Sequence, residues 1–290
     1  MRVSKIIKKN LLEIIFIIPL LIFISWINVL PIIRGVLLGF QLLGHYSTYN
    51  YEQLATPTYS IVNKTVNTVI IVALALSIEF ALALLTSLLL NRNFRGRTFF
   101  RSIVMLPYGV ATVVSAIGFT FIFAPSGWYG NEILLKLGLI HSDINWIKGS
   151  MAFISVAVAD SWKTFPLIML ILLGGLQTIP DSLYEAAAID GASKIQQFRH
   201  VTIPSLFPFI MIALIIRAVS EFNILSLPLI LVGNNLLFLG TLAYDIYISF
   251  SLGSANLADA VATILLVIVM LFVALYIYAS NRLMERGSDE

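Results

Sequence analysis

Six long, predominantly apolar segments constrain this chain more than any other feature of its sequence. They cover roughly residues 11–33, 66–90, 102–124, 150–175, 205–232 and 257–280. Each segment is long enough to cross the hydrocarbon core of a bilayer as an α-helix, which needs about 20 apolar residues. None shows the period-two alternation of a transmembrane β-barrel strand. The sequence therefore predicts an all-α membrane protein with six transmembrane helices.

Composition excludes several other classes of protein. Only 11% of the residues are charged, whereas a soluble domain carries about a quarter. The absence of cysteine excludes disulfides, thiolate catalysis and cysteine-based metal sites. The three histidines, His45, His141 and His200, have no metal-ligand spacing, and a net charge of +3 is too small to indicate nucleic-acid binding. Neither a metal site nor a nucleic-acid partner is predicted.

Lysine and arginine residues are concentrated on one side of the predicted helices. The segments on that side hold twelve of them, and the segments on the other side hold three. The first set comprises residues 1–10, 91–101, 176–204 and 281–290, and the second comprises 41–65, 125–149 and 233–256. Because cytoplasmic loops carry the excess of basic residues, both termini are predicted to lie in the cytoplasm. The first apolar segment is too long for a signal peptide and is predicted to be a retained span.

The longest predicted cytoplasmic connection, residues 176–204, carries signals for two short helices. Ser182 is followed three residues later by Glu185, as in a capping box at a helix start. Gly191 fits the end of this helix, where a left-handed residue is favoured. A second short helix is predicted from Ser193 to about residue 201. The connection is therefore expected to be a helix–turn–helix element on the cytoplasmic face.

This element has an apolar side formed by Leu183, Ala187, Ile195 and Phe198. Such a side can be buried against the protein's own helix bundle or against a partner protein. Helix propensity and capping signals do not distinguish between these two possibilities.

The spacing of residues within the connection resembles the signature of binding-protein-dependent ABC permeases. That signature is Glu-Ala-Ala, three residues, Gly, nine residues, then Ile-x-Leu-Pro. The matching positions are Glu185, Ala186, Ala187, Gly191, Val201, Ile203 and Pro204, and the extension Asp190, Gly191, Ala192 and Ser193 also matches. Val201 and Ile203 depart from the signature, and both are conservative apolar exchanges.

Three further segments resemble the sugar branch of these permeases, the maltose- and trehalose-type proteins. They are Asn67-Thr68, residues 97–107 and Trp162-Lys163-Thr164-Phe165-Pro166. The resemblance implies a type I ABC importer transmembrane domain over residues 63–280, with coupling helices at about 180–202. Residues 1–62 would supply a cytoplasmic N-terminus, the first transmembrane helix and an external loop, and residues 281–290 a cytoplasmic tail.

The resemblance also implies a function and a set of partners. The chain would be a cell-membrane permease, not an enzyme, forming half of the path for a sugar delivered by an external binding protein. A second homologous permease and two copies of a cytoplasmic ATPase subunit would complete the transporter. ATP and Mg would bind the ATPase subunit. No cofactor would bind this chain, which has no GxxxxGK[ST] motif. The residues expected at the ATPase contact are Glu185, Ala186, Ala187, Asp190, Gly191, Ala192, Ser193 and Pro204.

Ionisable residues within the apolar segments are candidates for either structural or functional roles, because charge at membrane depth is costly. They are Glu79, Asp160, Lys163, Arg217 and Glu221. Arg217 and Glu221 are four residues apart and can pair, as can Asp160 and Lys163, which are three apart. A cross-helix network among these four residues is also expected. No partner for Glu79 can be named from the sequence. These groups either neutralise one another and lock helices together, or line a substrate path.

Aromatic and hydrogen-bonding side chains suit sugar recognition, and four residues are candidates for it. They are Tyr108, Trp162, Phe222 and Asn223. Packing within the bundle is the alternative role for each aromatic residue. The candidate substrate path thus comprises Tyr108, Asp160, Trp162, Lys163, Arg217, Glu221, Phe222 and Asn223.

Two other functions remain open at this stage. The chain could be an ABC permease for another solute, such as glycerol phosphate. It could also be an ion-driven secondary transporter that uses Glu79, Asp160 and Glu221 as ion sites. The lack of inverted repeats and the complete loop signature favour the ABC permease. The basic residues Arg92, Arg95, Arg97 and Arg101 are interpreted as a topology determinant that touches lipid headgroups.

Overall fold

The computed structural model describes residues 11–124, 129–233 and 239–288. Its helices are α1 (Leu11–Ile24), α2 (Leu30–Gly39), α3 (Tyr49–Ala55), α4 (Ile61–Asn91), α5 (Arg97–Gly109), α6 (Thr112–Ile122), α7 (Tyr129–Lys136), α8 (Met151–Gln177), α9 (Asp181–Ile189), α10 (Lys194–Gln197), α11 (Ile203–Glu221), α12 (Ser226–Val232), α13 (Leu242–Ser251) and α14 (Ala255–Ser288). Strands β1 (Gln41–Leu42) and β2 (His45–Tyr46) form an antiparallel hairpin, and π-helical turns span Ser25–Val29 and Phe198–Thr202. Two compact units are formed by residues 1–61 with 245–266 and by residues 62–244 with 267–290.

Five helical segments of the described chain are long and apolar enough to cross a membrane, or six if one bent helix pair is counted as a span. They are Ile15–Gly39, Ile61–Asn91, Met151–Gln177, Lys194–Glu221 and Ala255–Arg282, and the bent pair is α5 with α6. This result agrees with the expectation of an all-α membrane protein. Residues 1–10, which carry the predicted cytoplasmic N-terminus, lie outside the described residues, and the orientation of the termini remains a prediction.

The third predicted span is not one straight helix, because α5 and α6 meet at an angle of 93°. Val110 and Ala111 between them have extended backbone, with ψ of 134° and 138°. Pro107 lies in the last turn of α5, where its ring and its missing N–H disfavour continuation of the helix. The expectation of a single helix over 102–124 is therefore corrected to a bent pair.

The fifth predicted span is also corrected, at both of its ends. It starts earlier than residue 205, because α10, the second π-helical turn and α11 form one continuous helical segment, Lys194–Glu221. It ends at Glu221 rather than at residue 232, and a break of four residues separates it from α12. Apolar residues predominate on both sides of this break, so average hydrophobicity alone could not place it.

Both π-helical turns stand directly before a proline. Ile203 N–H bonds to the carbonyl of Phe198, five residues earlier, immediately before Pro204. The turn at Ser25–Val29 has the same relation to Pro31. A proline ring clashes with the carbonyl four residues earlier, and a wider turn relieves this clash without ending the helix.

Helix α8 contributes to both hydrophobic cores of the larger unit. The first core joins it to α6 and α12, and its buried members are Ile71, Ala116, Phe123, Ala152, Val156, Ala159, Leu227, Leu231, Val232 and Leu239. The second core joins it to α4 and α11, with Ala83, Leu90, Ile168, Met169, Leu172, Leu173, Leu176, Ile179, Leu206, Ile210 and Ala213. The packing of α4, α8 and α11 determines where their polar side chains can meet.

In the smaller unit, side chains from the segment between α2 and α4 form hydrogen bonds that stabilise the fold. Asn50 Nδ2 donates to the carbonyls of Gly39 and Gln41, both at 2.9 Å. Tyr59 donates its hydroxyl to Asp245 Oδ2 at 2.5 Å. Burial, together with the Asp245 carboxylate, raises the pKa of Tyr59, so the phenol keeps the proton that it donates.

Gly175 permits the close approach of α8 and α11, and its replacement provides a test of this packing. A Cβ atom at this position would lie 2.6 Å from Phe209 Cγ and 2.9 Å from Leu206 Cδ2. Gly175→Val is expected to lower the stability of the detergent-solubilised protein by about 1–3 kcal/mol, as overpacking of a core does. Gly174→Val is the matched control, because a Cβ at Gly174 meets no atom within 4 Å. Equal melting temperatures for the two variants would contradict this packing.

Candidate functional site

The helix–turn–helix element predicted between residues 176 and 204 is present, and its turn is closed by hydrogen bonds. Gly191 has φ of +80°, the left-handed conformation expected of it. Its N–H bonds to the carbonyl of Ala188 at 3.1 Å, and the N–H of Ala192 bonds to that of Ala187 at 2.9 Å. This pair of bonds is a Schellman motif, which ends α9 and reverses the chain.

The capping box lies in a different place from the one predicted. Ser182 falls inside the first turn of α9, because Pro180 occupies the N-cap position and has an extended backbone. The observed box joins Ser193 and Gln196 at the start of α10: the Ser193 N–H donates to Gln196 Oε1 at 2.7 Å, and the Gln196 N–H donates to Ser193 Oγ at 3.4 Å. Ser193 therefore has a local structural role in addition to its place in the signature.

The second short helix is not a separate element, because it continues through the π-helical turn into α11. Two contacts fix α9 and the turn against this longer helical segment. The hydroxyls of Tyr184 and Thr202 lie 3.0 Å apart, and buried Gln197 donates to the carbonyl of Ala192 at 3.3 Å. These contacts hold α9 and the turn against the helical segment that continues into the fifth span.

The outer surface of this element exposes most of the motif residues, together with large apolar side chains beside them. Glu185, Ala186, Asp190, Gly191, Ser193 and Pro204 are exposed, and Ala187 and Ala192 are half-buried. Ile189 and Ile195 are 87% and 80% exposed, and Leu183 is 46% exposed. A groove of about 270 Å³ separates the two helices and is lined by Ala187, Asp190, Gly191, Ala192, Gln196, Gln197, His200 and Val201. Exposed apolar side chains around a groove are typical of a surface that binds another protein.

Four charged residues and a threonine meet between α4, α8 and α11 and form what we term the Arg217 cluster. Arg217 donates from Nε to Glu79 Oε2 at 2.9 Å and from Nη2 to Glu79 Oε1 at 2.7 Å. The same Nη2 lies 3.0 Å from Asp160 Oδ2 and also contacts Glu221 Oε1. Thr164 donates its hydroxyl to Glu79 Oε1 at 2.6 Å. All five side chains are buried.

The structure confirms one predicted ion pair and corrects the other. Arg217 and Glu221 pair as expected across one helical turn. Asp160 pairs with Arg217 and, within the described residues, forms no ion pair with Lys163. Lys163 instead lies over the ring of Tyr108, with Nζ 5.9 Å from the centroid. Residues three apart on a helix can pair, but here the side chain of Asp160 is directed into the interior.

The structure supplies the partner of Glu79, which is Arg217 through two parallel hydrogen bonds. Sequence reasoning also missed the role of Thr164, whose position four residues after Asp160 was a usable signal. Bidentate contact between a guanidinium and a carboxylate is the strongest geometry available to these groups. The cluster therefore ties three helices together, which favours the helix-locking interpretation over the substrate-path interpretation.

Carboxylate oxygens of Glu79, Asp160 and Glu221 lie within 4.8 Å of one another, a spacing that could hold a metal ion. The guanidinium of Arg217 supplies the positive charge at that place. One acceptor of the cluster, Glu221 Oε2, is buried and has no hydrogen-bond partner in the described structure. Glu221 thus accepts fewer hydrogen bonds than Glu79 does.

The remaining candidates for sugar contact divide into exposed and buried side chains. Tyr108 and Trp162 are 43% and 40% exposed. Trp162 packs edge-on against Phe119 with 5.6 Å between ring centroids, which leaves part of the indole free. Asn223 is exposed at the end of α11, whereas Phe222 is 2% exposed and packs against Phe272. The group on α5 and α8, in which Tyr108 and Trp162 are exposed and Lys163 is half-buried, is therefore better placed to meet a ligand than Phe222.

Comparison with known proteins identifies the class of this chain. The model of the family described as binding-protein-dependent transport system inner membrane component matches residues 80–288, and the chain belongs to this family. It is 35% identical over 208 residues to the trehalose/maltose transport system permease protein of Thermococcus litoralis, covering 70% of this chain and 69% of that protein. It is 31% identical over 214 residues to the trehalose transport system permease protein of Mycobacterium tuberculosis, covering 71% of this chain and 68% of that protein. The chain is thus an ABC importer permease, a membrane-spanning transport subunit and not an enzyme.

Solved structures confirm the type I importer fold. The chain matches a subunit of a bacterial ABC transporter involved in import of the acidic polysaccharide alginate with a TM-score of 0.81 and 22% identity, covering 97% of this chain and 99% of that one. The same transporter in complex with an alginate pentasaccharide-bound periplasmic protein gives a TM-score of 0.82 and 21% identity, covering 98% and 99%. Because the match covers nearly the whole of this chain, the bent α5–α6 pair and the break after Glu221 both lie within the matched fold.

Proposed function

We propose that this permease forms half of the translocation path of an ATP-driven sugar importer and is coupled to an ATPase subunit through residues 185–204. The observation that carries the coupling is the exposed groove between α9 and α10, flanked by Ile189 and Ile195. Its lining includes the signature residues Ala187, Asp190 and Gly191, and Glu185 is exposed on the same helix as Ala187. The alternative, that the apolar side of this element packs on its own bundle, leaves these two isoleucines without a role.

The proposed assembly contains this chain, a second homologous permease, two copies of the ATPase subunit and an external binding protein. ATP and Mg act on the ATPase subunit, and no cofactor is proposed for this chain. The distribution of lysine and arginine supports a cytoplasmic position for both termini and for the groove. Closure of the ATPase dimer would then push on the groove, and the continuous segment Lys194–Glu221 would carry the motion into the membrane.

The substrate proposed for the importer is a neutral sugar of the trehalose or maltose kind. A phosphate-bearing solute such as glycerol phosphate would require cationic groups along the path. Arg217 is engaged by three carboxylates, so it is not available to a phosphate. The exposed Tyr108 and Trp162 offer aromatic faces of the kind that sugar sites use, and Lys163 lies beside them. The named substrates of the two relatives described above support the same choice.

Trp162 provides a test of the substrate proposal. Trp162→Ala is expected to weaken sugar-dependent stimulation of ATP hydrolysis about tenfold, equivalent to about 1.4 kcal/mol, because the exposed indole face is removed. The measurement is the sugar concentration that gives half-maximal stimulation of the reconstituted complex. Trp162→Phe should retain most of the effect, and Trp26→Ala, which alters a tryptophan that is 72% exposed on another helix, should retain all of it. An unchanged response in Trp162→Ala would exclude Trp162 as a sugar contact.

The function itself is tested by reconstitution of the permease pair with its ATPase subunits in proteoliposomes. With the binding protein present, uptake of labelled trehalose or maltose should require ATP on the cytoplasmic side. The isolated chain under a proton or sodium gradient should transport none of the sugar. Gradient-driven uptake without the ATPase would instead establish an ion-driven secondary transporter, with Glu79, Asp160 and Glu221 as the groups to examine.

A further inference from the structure

A polar pocket of about 390 Å³ lies where the connection between α4 and α5 meets the junction of α8 and α9. Its lining residues are Asn91, Asn93, Arg97, Arg101, Leu176, Gln177, Ile179 and Asp181. It lies outside the Arg217 cluster and shares no residue with the groove between α9 and α10. Neither the family signature nor the candidate sugar contacts include it.

Two arginine side chains converge in this pocket on one neutral oxygen. With the carboxamide of Gln177 oriented so that its oxygen faces them, it accepts from Arg97 Nη2 at 3.0 Å and from Arg101 Nη2 at 2.7 Å. Arg97 also donates from Nη1 to Asn93 Oδ1 at 3.3 Å. These bonds hold two guanidinium groups side by side, although like charges repel each other.

No carboxylate compensates these two charges among the described residues. Asp181 lines the same pocket, yet no ion pair within 4.0 Å joins it to Arg97 or Arg101 in the described chain. The Nε atoms of both arginines are buried and have no hydrogen-bond partner in the described structure. Two neighbouring cations that share one amide oxygen repel each other, and their buried Nε–H donors are unsatisfied. An anion that accepts from these donors would relieve both effects.

The geometry of the donors selects the class of anion. Paired guanidinium groups present several N–H donors in a planar arrangement that matches the oxygens of a carboxylate or a phosphate, so a second feature must decide between them. On a neighbouring face of the α4–α5 connection, an apolar groove of about 350 Å³ is lined by Thr86, Leu89, Leu90, Arg92, Phe94, Phe100 and Val104. A groove of this composition accommodates an acyl chain. A phosphate site close to an acyl-chain groove fits a phospholipid.

We propose that the Arg97–Arg101 pocket binds the phosphate group of an anionic phospholipid. Its position at the ends of two spans places it at headgroup depth, where basic residues attract anionic lipids. The bound lipid completes the charge balance at the corner where α5 contacts the α8–α9 junction. Because that junction leads directly into α9, the lipid supports the position of the coupling element.

Gln177→Glu tests the pocket without removing the hydrogen bonds that join Arg97 and Arg101 on α5 to residue 177 on α8. A glutamate at this position accepts from both arginines more strongly than the amide does, and it supplies the missing negative charge from within the protein. The variant is therefore expected to fold and to melt at or above the wild-type temperature in phosphatidylcholine nanodiscs. Its affinity for added phosphatidylglycerol, measured by native mass spectrometry of the delipidated protein, should fall about tenfold, a change equivalent to about 1.4 kcal/mol.

Arg95→Gln is the matched control, because Arg95 is exposed, lies in the same connection and does not line the pocket. It should bind phosphatidylglycerol nearly as wild type does. Wild-type affinity in a stably folded Gln177→Glu protein would overturn the proposal. Inorganic phosphate that protects the lipid-free protein against heating as well as phosphatidylglycerol does would also overturn it, since the pocket would then be a site for the free anion.

Discussion

Replacement of Arg217 with methionine is expected to destabilise the protein by about 3–5 kcal/mol, as loss of one partner from a buried ion pair does. The change leaves Glu79, Asp160 and Glu221 buried together without a cation. We expect a large fall in the melting temperature of the detergent-solubilised protein and in its yield from membranes. Arg199→Met is the control, because Arg199 is exposed and the same change there removes no buried partner.

The carboxylates of the cluster should not be equivalent. Glu79 accepts two hydrogen bonds from Arg217 and one from Thr164, whereas Glu221 Oε2 is unpartnered. Glu79→Gln should therefore destabilise the protein more than Glu221→Gln. In a double-mutant cycle, Glu79→Gln with Arg217→Met should cost less than the sum of the single changes, because the two residues are in contact. Additive effects, or an Arg217→Met protein as stable as wild type, would contradict the geometry of the cluster.

Charge reversal of Glu185 is expected to abolish ATP-driven sugar uptake while leaving the permease folded. Glu185 is exposed on α9 at the rim of the proposed ATPase contact, so Glu185→Lys changes the outer surface and not a core. A reversed charge in an interface disfavours the partner strongly. Uptake by the reconstituted complex should fall by a factor of about ten or more, equivalent to at least about 1.4 kcal/mol. The melting temperature of the isolated permease should not change.

Asp143→Lys is the matched control for this experiment. Asp143 is an exposed acidic residue in a segment predicted to lie on the opposite side of the membrane. Its reversal should leave the affinity for the ATPase subunit and the ATP-driven uptake unchanged. If Glu185→Lys assembled with the ATPase and supported uptake as well as Asp143→Lys does, the proposed role of α9 would be wrong.

The fold could be predicted from the sequence where the signal was local. Apolar runs of sufficient length identified the spans, and the need for positive φ at Gly191 placed the end of α9. The bend at Val110–Ala111 and the end of α11 at Glu221 were missed, because both occur inside segments that are long and apolar enough on average to be interpreted as single spans. Hydrophobicity reports where a chain is buried in lipid and says little about where a buried helix bends.

The same limit separates the predicted from the unpredicted parts of the site. The Arg217–Glu221 pair lies on one helix face and follows from a spacing of four residues. The bond between Arg217 and Glu79 joins positions 138 residues apart, so it depends on the packing of α4 against α11. Phe222 was a reasonable candidate by residue type, but its burial against Phe272 depends on helix α14.

Cross-linking between the permease and the ATPase subunit tests the central claim most directly. Because the permease has no native cysteine, an introduced cysteine is the single thiol on this chain that can be labelled. A single cysteine is introduced at exposed Ala186 on α9, or at exposed Ser142 as the control. Each variant is assembled with the second permease and the ATPase subunits, and its cysteine is labelled with a short reagent whose other end is a photoactivatable group that reacts with any neighbouring chain. We predict that Ala186→Cys cross-links to the ATPase subunit in a nucleotide-dependent yield and that Ser142→Cys does not. An intact, active complex in which Ala186→Cys gives no cross-link to the ATPase would contradict the account.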